Sequence, residues 1–413
     1  MGKKISLGAA ITCILISVAL TFSITIVFST NQYNTKIFDL FKRESLQEKM
    51  VELDRIVRYN YYQDISEEDL INGIARGYIL GVKDKYAKYL SGDDYKSYLQ
   101  QQEGMTTGIG VKTAQDKSGY LYIYSVSAGS SAETAGLLAG DTIVKIDGAD
   151  VAEMGYEAAL KAMRGTAGDS VALTVHRSGE EINFSVTRQN ITINSVDYEI
   201  IGNQIGYIRI EQFNANTDEL FILALNNLTS SSITGLIVDV RHNSGGQLAS
   251  AAKILDRLLP EGDIVSATYK DNKTKLLYQS DAEELNLPMI VLVDNQTASV
   301  AELFAAALKD YKKADLVGVT TYGKGTLQET FPLNDGSAIT LSVATMNPPK
   351  SANFEGTGIR PNYEVNNNYT SDFDFYTLTR ETDNQLKKAM EIITSQTKTN
   401  LNFDTSVNEP LLN

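Results

Sequence analysis

The sequence contains very little cysteine and very little histidine. Among 413 residues there is one cysteine, Cys13, and there are two histidines, His176 and His242. The chain beyond Cys13 therefore has no disulfide and no catalytic thiol. With so few histidines, a multi-histidine metal site is not expected, and a catalytic triad that uses histidine has only two candidates for its base. We expect neither a metal nor another cofactor.

Basic residues are fewer than acidic residues. The chain has 37 basic and 51 acidic residues, which gives a net charge of -14. A protein that binds nucleic acid needs a basic surface to meet the phosphates, so nucleic acid is not an expected partner. The hydrophobic fraction of 43% and the charged fraction of 21% are typical of a globular protein, and the length suggests two or three domains.

One long uncharged run stands near the N-terminus. Residues 7–28, LGAAITCILISVALTFSITIVF, would rise about 33 Å as a helix, which matches the hydrocarbon core of a bilayer. Lys3 and Lys4 precede the run and favour a cytoplasmic N-terminus. We therefore expect residues 1–30 to be a single-pass anchor in the cell membrane, with the rest of the chain outside the cytoplasm. A cleaved signal peptide is the alternative, but the run is longer than a usual signal sequence and no clear A-x-A site follows it.

The remaining chain changes in pattern three times. Residues 31–103 have apolar residues at three- and four-residue spacing and are predicted to be helical. Residues 104–190 contain short alternating segments such as YLYIYSV and SVALTVH, separated by glycines, which predict a small, mostly β domain. In residues 191–370, apolar strands such as GLIVDVR and PMIVLVD alternate with helical runs, which predicts an α/β core. Residues 371–413 are expected to form a C-terminal helix and a polar tail.

Two segments of the small β domain form a recognisable pattern, GIGV at residues 108–111 and SAETAGLLAGDTIVKIDGADV at residues 131–151. Together they resemble a PDZ domain of the bacterial, circularly permuted kind. It implies a groove between a strand and the helix at residues 156–163, where backbone N–H groups take a peptide's C-terminal carboxylate. Glycines suit this task because residues without a Cβ let several amides converge on one anion, although an isolated GxG would be only a tight turn. The residues that the resemblance assigns to the carboxylate are Gly108, Ile109, Gly110 and Val111.

Three segments of the predicted core place glycines or polar residues directly after apolar strands. They are VDVRHNSGGQL at residues 238–248, IVLVDNQTASVAEL at residues 290–303 and LVGVTTYGKGTLQ at residues 316–328. Ligands of open α/β sheets usually bind at the carboxyl ends of the strands. Each segment alone has an ordinary structural interpretation, in which Ser299 caps a helix and Lys324 is a solvated loop residue.

Taken together, VDVRHNSGG, NQTASVAE and YGKGTLQ resemble the three signatures of the C-terminal processing peptidases, which are serine endopeptidases. The resemblance extends over about residues 40–395 and includes the PDZ domain. It implies an α/β protease core of the crotonase-like ββα type with an inserted PDZ domain. It also implies that Ser299 is the nucleophile, that Lys324 is the general base and that Gln328 orients the lysine amine.

The resemblance further assigns the oxyanion hole to the backbone N–H groups of Gly245 and Val300. Gly246 is a close rival of Gly245 for the first donor. Relatives often carry a small residue where this chain has Val300, but a backbone donor survives a change of side chain. Ala301 replaces a serine of the family pattern, so Ser299 is the only hydroxyl candidate in its predicted helix.

A lysine can act as a base only in its neutral form. Lowering its pKa from about 10.4 to about 7.5 requires about 4 kcal/mol of destabilisation of the ammonium, which burial can supply. The amide oxygen of Gln328 can accept a hydrogen bond from the amine without adding a charge that would raise the pKa again. Since histidine is nearly absent, Ser299 and Lys324 would replace a histidine-based triad.

The expected function is that of an anchored endopeptidase that binds the C-terminal tails of unfolded or partly folded protein substrates and cleaves through an acyl-enzyme. The resemblance also implies a homodimer built from the N- and C-terminal helices, and a gate between the PDZ domain and the core with Arg164 as the candidate contact. Arg164 is equally well explained as an ordinary surface arginine. Two alternatives remain: a PDZ adaptor with a catalytically silent core, and a crotonase-like acyl-CoA enzyme, in which the PDZ domain would have no role.

Overall fold

The computed structural model describes residues 44–202 and 204–406, with side chains as far as residue 397, and the isolated positions 17 and 21. The chain forms two compact units, Met1–Ala75 and Arg76–Asn413. The predicted membrane span at residues 7–28 lies outside the described residues apart from those two positions. Among the described helices, none is both long enough and apolar enough to cross a bilayer.

Helices dominate the first described segment. Its elements are α1 (44–60), α2 (Glu67–Gly81), β1 (Lys88–Leu90) and α3 (Gly92–Gln102). Ser66 Oγ accepts the N–H of Asp69 at 3.2 Å, and acidic residues fill the first turn of α2, where they favour the helix dipole. The strand β1 lies inside the region that was predicted to be helical. It forms because the chain turns at Lys83, where φ is 62°, and then pairs with Ala338–Thr340, a long-range partner that local periodicity does not reveal.

Residues 105–192 form a β domain with three short helices. Its elements are β2 (Met105–Gly108), β3 (Val111–Gln115), β4 (Leu121–Val126), α4 (Ser131–Ala135), β5 (Thr142–Ile146), β6 (Ala149–Asp150), α5 (Val151–Met154), α6 (Tyr156–Met163), β7 (Ser170–Arg177), β8 (Glu180–Thr187) and β9 (Gln189–Thr192). The main sheet has the order β3-β4-β5-β7-β8 with β6 on β5, while β2 pairs with β9. Alternate residues such as Leu121 and Ile123 of β4 point into the core of the domain, as the period of a strand requires.

The rest of the described chain forms an α/β core with two sheets. Its elements are β10 (Val196–Ile201), β11 (Ile205–Ile210), α7 (Thr217–Ser230), β12 (Gly235–Asp239), α8 (Leu248–Leu258), β13 (Gly262–Tyr269), β14 (Thr274–Ser280), β15 (Met289–Val293), α9 (Val300–Asp310), β16 (Ala314–Gly318), β17 (Thr326–Pro332), β18 (Ala338–Asn347), β19 (Tyr363–Glu364), α10 (Asp372–Tyr376) and α11 (Asn384–Ser406). The smaller sheet is antiparallel, with β18 pairing β1, β13 and β17, and with β14 on β13.

The larger sheet carries the three sequence motifs. Its order is β10-β11-β12-β15-β16-β19, and every pair after β10-β11 is parallel. All residues of β12 and β15 are buried, as expected for parallel strands covered on both faces. One face packs on α7, α8 and α9, and the other packs on α11 through Ile237, Ile290 and Ile393. Because the carboxyl ends of parallel strands meet at one edge, the loops after β12, β15 and β16 come together there.

The C-terminal segment contacts the β domain as well as the core sheet. The ring of Tyr376 in α10 stacks on Tyr124 of β4 with centroids 3.9 Å apart, and Phe373 makes an edge contact with Tyr122 at 5.0 Å. Aromatic pairs of this kind add to the stabilisation that comes from burying their area. The β domain is therefore docked on α10.

Candidate active site

Hydrogen bonds join the three loops at the sheet edge. The N–H of Ala298 donates to Asn243 O at 2.9 Å, which connects the loop after β15 to the loop after β12. The hydroxyl of Thr297 makes a second connection, to Val240 O at 2.9 Å. The N–H of Tyr322 donates to Thr297 O at 3.0 Å and connects the loop after β16. Segments far apart in sequence thus form one site.

Ser299 stands immediately before α9 and is 8% exposed. Its backbone has φ 58° and ψ -120°, a conformation that type II′ turns usually give to glycine. A simple N-cap residue has an extended backbone, so helix capping alone does not account for this geometry. Such strain costs about 1–3 kcal/mol and persists only where the surrounding structure imposes it. The turn places the serine at the positive end of the α9 dipole, which favours negative charge on a nearby oxygen.

The two glycines after β12 are required by close packing. A Cβ on Gly245 would lie 3.0 Å from Ser299 Cβ. A Cβ on Gly246 would lie 1.9 Å from Phe213 O. Both glycines also have positive φ, 101° and 130°. Gly245 therefore lets this backbone approach Ser299, and Gly246 lets it approach Phe213, at distances that a side chain would prevent.

The predicted oxyanion donors differ in their availability. The N–H of Gly245 donates to Asn243 Oδ1 at 2.8 Å, so this predicted donor is already engaged. The N–H groups of Gly246 and Val300 make no hydrogen bond to any acceptor in the described chain. Gly246 and Val300 also line a cavity together with Ser299. The arrangement favours Gly246, the rival candidate, over Gly245 as the partner of Val300.

Lys324 follows β16 between Gly323 and Gly325 and is partly buried. Burial lowers the pKa of Lys324 below its ordinary value, and the positive charge of Lys88 acts in the same direction, while nearby carboxylates oppose the shift. The amine lies 4.8 Å from the centroid of the Tyr86 ring. The lowered pKa is the direction that a lysine base requires.

A side chain that the sequence motifs did not single out links Ser299 to the loop of Lys324. Glu302, in the first turn of α9, is fully buried. Its Oε2 accepts the N–H of Ser299 at 2.9 Å and the N–H of Lys324 at 2.8 Å. Its Oε1 accepts the N–H of Gly323 at 2.7 Å and the hydroxyl of Thr321. Burial raises the pKa of Glu302, and these four hydrogen bonds act against the rise.

The sequence did contain a signal for Glu302. Ser299 and Glu302 have the S-x-x-E spacing of a capping box, and the N–H of Ser299 indeed donates to the Glu302 carboxylate. That pattern predicts the start of a helix. It does not predict that the same carboxylate also holds the backbone of Lys324, 22 residues further along the chain.

Gln328 lies on β17 at a register shift against β18. Its Nε2 donates to Thr326 O at 3.0 Å, to Thr326 Oγ1 at 2.8 Å and to Ser342 Oγ at 3.2 Å. No hydrogen bond joins its side chain to Lys324 in the part of the chain that is described. Both residues line the same cavity, and the orienting role of Gln328 stays a prediction.

A cavity of about 1250 Å³ extends from the catalytic candidates to the β domain. Ser299, Lys324 and Gln328 line its core side, and Lys161 and Arg164 at the end of α6 line its other side. Arg164, the predicted gate contact, is exposed there. Within residues 44–202 and 204–406, no cluster of three or more histidine, cysteine or acidic side chains could hold a metal ion. The cavity therefore borders both the candidate catalytic residues and α6 of the β domain.

The predicted carboxylate-binding residues connect β2 to β3. Gly108 ends β2, Val111 begins β3, and the N–H groups of Ile109 and Gly110 between them donate to no acceptor in the described chain. Gly110 has φ 90°, and a Cβ there would lie 2.2 Å from Ser130 Cβ. Within the described residues β3 is an edge strand, paired in its sheet with β4 and with no second strand. An edge without a second strand and unused N–H donors are features that a strand-like peptide with a terminal carboxylate needs.

Comparisons with known proteins match both parts of the chain. The model of Peptidase family S41 matches residues 204–365, and the PDZ domain model matches residues 98–176. The carboxy-terminal processing protease CtpA of Bacillus subtilis is 32% identical over 307 residues, which are 74% of this chain and 66% of that relative. The carboxyl-terminal-processing protease of Synechocystis sp. is 32% identical over 316 residues, which are 75% of this chain and 73% of the relative.

A solved structure has the same fold. It is a crystal structure from Bacteroides fragilis, assigned to the S41 proteases, with a TM-score of 0.56 and 18% sequence identity. The match covers 81% of this chain and 91% of that one. The chain spans only about two thirds of the length of the Bacillus relative, 66%.

Proposed function

We propose that this chain, which belongs to peptidase family S41 and contains a PDZ domain, is a membrane-anchored carboxy-terminal processing serine endopeptidase. It recruits the C-terminal regions of unfolded or partly folded proteins through the PDZ domain and cleaves them with Ser299 as nucleophile and Lys324 as base. One observation carries this proposal: a single buried carboxylate, Glu302, holds the backbone of both residues at the wall of one cavity. The core is proposed to be of the crotonase-like ββα type.

In the proposed first half-reaction, the neutral amine of Lys324 takes the proton of Ser299 while the serine oxygen bonds to the scissile carbonyl carbon. The carbonyl oxygen becomes an oxyanion, which the N–H groups of Gly246 and Val300 stabilise. When the C–N bond breaks, the ammonium of Lys324 gives its proton to the departing amine. The acyl group remains on Ser299 as an ester.

The second half-reaction releases the new C-terminus. A water molecule attacks the ester carbon while Lys324 takes its proton, and the same two N–H groups stabilise the second oxyanion. The ester C–O bond then breaks, and Lys324 returns the proton to the oxygen of Ser299. The strained turn at Ser299 supports this cycle, because it presents the hydroxyl at the start of α9 in a position that an ordinary helix residue would not have.

Digestion of unfolded casein tests the proposed activity. The full chain, solubilised in detergent, should release peptides from unfolded casein, and Ser299→Ala should release none while keeping the same thermal unfolding profile. A PDZ adaptor with a silent core would leave casein intact with both proteins. Thioester hydrolysis without casein cleavage would instead indicate an acyl-CoA enzyme.

The PDZ groove is expected to read the substrate's terminal carboxylate. A peptide with a free C-terminus should bind Ser299→Ala at least tenfold more tightly than the same peptide with an amidated C-terminus, a difference of about 1.4 kcal/mol. The expectation rests on the unused donors of Ile109 and Gly110 beside β3, an edge strand of its sheet. Isothermal titration calorimetry of both peptides measures the difference in affinity. Equal affinities would contradict this role of the groove.

We also propose that residues 7–28 anchor the protein with its catalytic part outside the cytoplasm of the cell. The lysines before the uncharged run support this orientation. Protease added to intact spheroplasts of the native host should digest the domain at the same rate as in lysed cells. Full protection until lysis would refute the outward placement.

A homodimer built from the N- and C-terminal helices is part of the proposal. Apolar side chains on α1 support it, since Leu46, Val51, Leu53 and Ile56 are each at least 47% exposed. Exposed apolar side chains of this number on one helix are typical of a surface that meets another protein chain.

A further inference from the structure

A series of hydrogen bonds leads from the side chain of Gln328 on β17 to Ser342 on β18 and then to Asp84 in a loop. Gln328 of β17 pairs in register with Ser342 of β18, and its Nε2 lies 3.2 Å from Ser342 Oγ. Ser342 Oγ in turn lies 3.1 Å from Asp84 Oδ1, in the loop between α2 and β1. The Asp84 carboxylate is thus connected to the side chain of Gln328 through one hydroxyl.

The donors and acceptors in this series of hydrogen bonds can be assigned by starting from Asp84. Its Oδ2 accepts the N–H of Ser342 at 2.8 Å, and its Oδ1 accepts the N–H of Tyr86 at 3.0 Å. Burial opposes ionisation of Asp84, but the hydrogen bonds from Ser342 and Tyr86 outweigh it and lower its pKa. An ionised carboxylate can only accept, so the single proton of Ser342 Oγ points to Asp84. The Ser342 oxygen must then accept from Gln328.

This assignment determines which end of the Gln328 amide faces which neighbour. The Nε2 group is directed at Ser342 Oγ and at two oxygens of Thr326, all of which are acceptors. The Oε1 atom makes no hydrogen bond within the residues that the structure describes. Gln328 and Lys324 line the same cavity, and within the described residues no other donor engages this amide oxygen.

We propose that Asp84 is a positioning residue for the peptidase reaction, which acts through Ser342 to keep the amide oxygen of Gln328, and not its nitrogen, toward Lys324. The inference rests on the proposed function, in which Lys324 is the base. With the oxygen toward it, the amine donates a hydrogen bond and keeps its lone pair for the proton of Ser299. With the amide reversed, an N–H would donate into that lone pair and block proton transfer.

Asp84 has a second, separable influence on the site. Its negative charge favours the ammonium form of Lys324 and works against the effect of burial. Removing the charge should therefore lower the pKa of Lys324 further. The acidic limb of the rate profile would then move to lower pH, whereas a change at Ser342 leaves the charge in place.

The test measures kcat, KM and the pH profile of casein hydrolysis for four variants of the full chain. Asp84→Asn should lower kcat about tenfold at unchanged KM, because the asparagine amide can donate to Ser342 Oγ and the hydroxyl proton of Ser342 is then free to point to Gln328. The same variant should move the acidic limb to lower pH, because the negative charge is removed. Ser342→Val should lower kcat similarly with the acidic limb unmoved. Ser342→Thr, which matches valine in shape but keeps the hydroxyl, should restore kcat to within about twofold of wild type. Ser299→Ala provides the inactive reference.

The outcomes separate this inference from the function on which it rests. Equal kcat for Ser342→Val and Ser342→Thr, or a wild-type kcat for Asp84→Asn, would overturn the role of Asp84 while leaving the peptidase proposal intact. Activity of Ser299→Ala equal to wild type would overturn both. If Asp84→Asn does not fold, the valine and threonine pair decides alone, because the two variants differ only in the hydroxyl that the inference requires.

Discussion

Lys324→Arg is expected to hydrolyse casein at less than about a tenth of the wild-type rate, and Lys324→Ala is expected to be inactive. A guanidinium keeps its proton across the accessible pH range, so arginine preserves the charge but cannot take the proton of Ser299. A tenfold loss corresponds to about 1.4 kcal/mol of transition-state stabilisation. Both variants should still bind C-terminal peptides, because the PDZ groove lies on a different domain. Initial rates and peptide titrations measure the two effects separately.

The pH dependence of the wild type provides an independent check of the base. Burial lowers the pKa of Lys324 below its ordinary value. Below the folded-state pKa the amine is protonated and cannot accept the proton of Ser299, so kcat/KM should rise with pH and reach a plateau above that pKa. Asp84→Asn should move this limb to lower pH, and a limb that instead falls with rising pH would contradict a lysine base.

Neither histidine is placed to replace Lys324. His242 Nδ1 lies 2.5 Å from Asp294 Oδ2, and its Nε2 lies 3.3 Å from Asp372 Oδ1, so both ring nitrogens face carboxylates. His176 lies on β7 of the PDZ domain with 49% of its side chain exposed. We expect His176→Ala to keep full activity. His242→Ala should keep most of the activity but unfold at a lower temperature, because the ring stacks on Phe375 at 3.9 Å.

If Lys324→Arg kept more than about a tenth of the wild-type rate, the Ser299–Lys324 assignment would be wrong.

The sequence predicts the position of the site well because parallel strands have a distinctive pattern. Strands buried on both faces appear as continuous apolar runs, and GLIVD and MIVLV are two such runs. Glycines and polar residues after these runs mark the carboxyl ends of the strands. The prediction that Ser299 and Lys324 lie at such ends is confirmed, and the neighbouring positions of β12, β15 and β16 bring the two loops to one cavity.

The hydrogen-bond partners within the site could not be predicted in this way. Asn243 occupies the N–H of Gly245, and Asp84 reaches Gln328 through Ser342, a residue on another strand. These contacts depend on which strands are neighbours and on the register shift at Gln328, neither of which is encoded in local periodicity. The docking of α10 on the β domain is likewise a long-range aromatic contact without a local sequence signal.

Glu302→Gln is expected to lower the catalytic rate about a hundredfold and to destabilise the fold. Each carboxylate oxygen of Glu302 accepts two donors, with Ser299 and Lys324 on one oxygen and Gly323 and Thr321 on the other. Glutamine replaces one of these oxygens with an NH₂ group, so at least one buried N–H faces a donor. Each donor left unsatisfied costs about 1–3 kcal/mol.

The loss of activity should exceed the loss of stability, because the Glu302 carboxylate holds the reacting groups in place as well as stabilising the fold. Without it, the strained turn at Ser299 can relax and the loop of Lys324 can move, and a displacement of about 1 Å between reacting groups is enough for a loss of about a hundredfold. Glu329→Gln removes the same charge from an exposed position on β17 and serves as the matched control, with activity and unfolding temperature expected at wild-type values. Casein hydrolysis measured well below the unfolding temperature of each variant separates the two effects. If Glu302→Gln hydrolysed casein as fast as Glu329→Gln under those conditions, the carboxylate would be an ordinary helix cap, and the strained turn at Ser299 would have to be maintained by the packing of Gly245 alone.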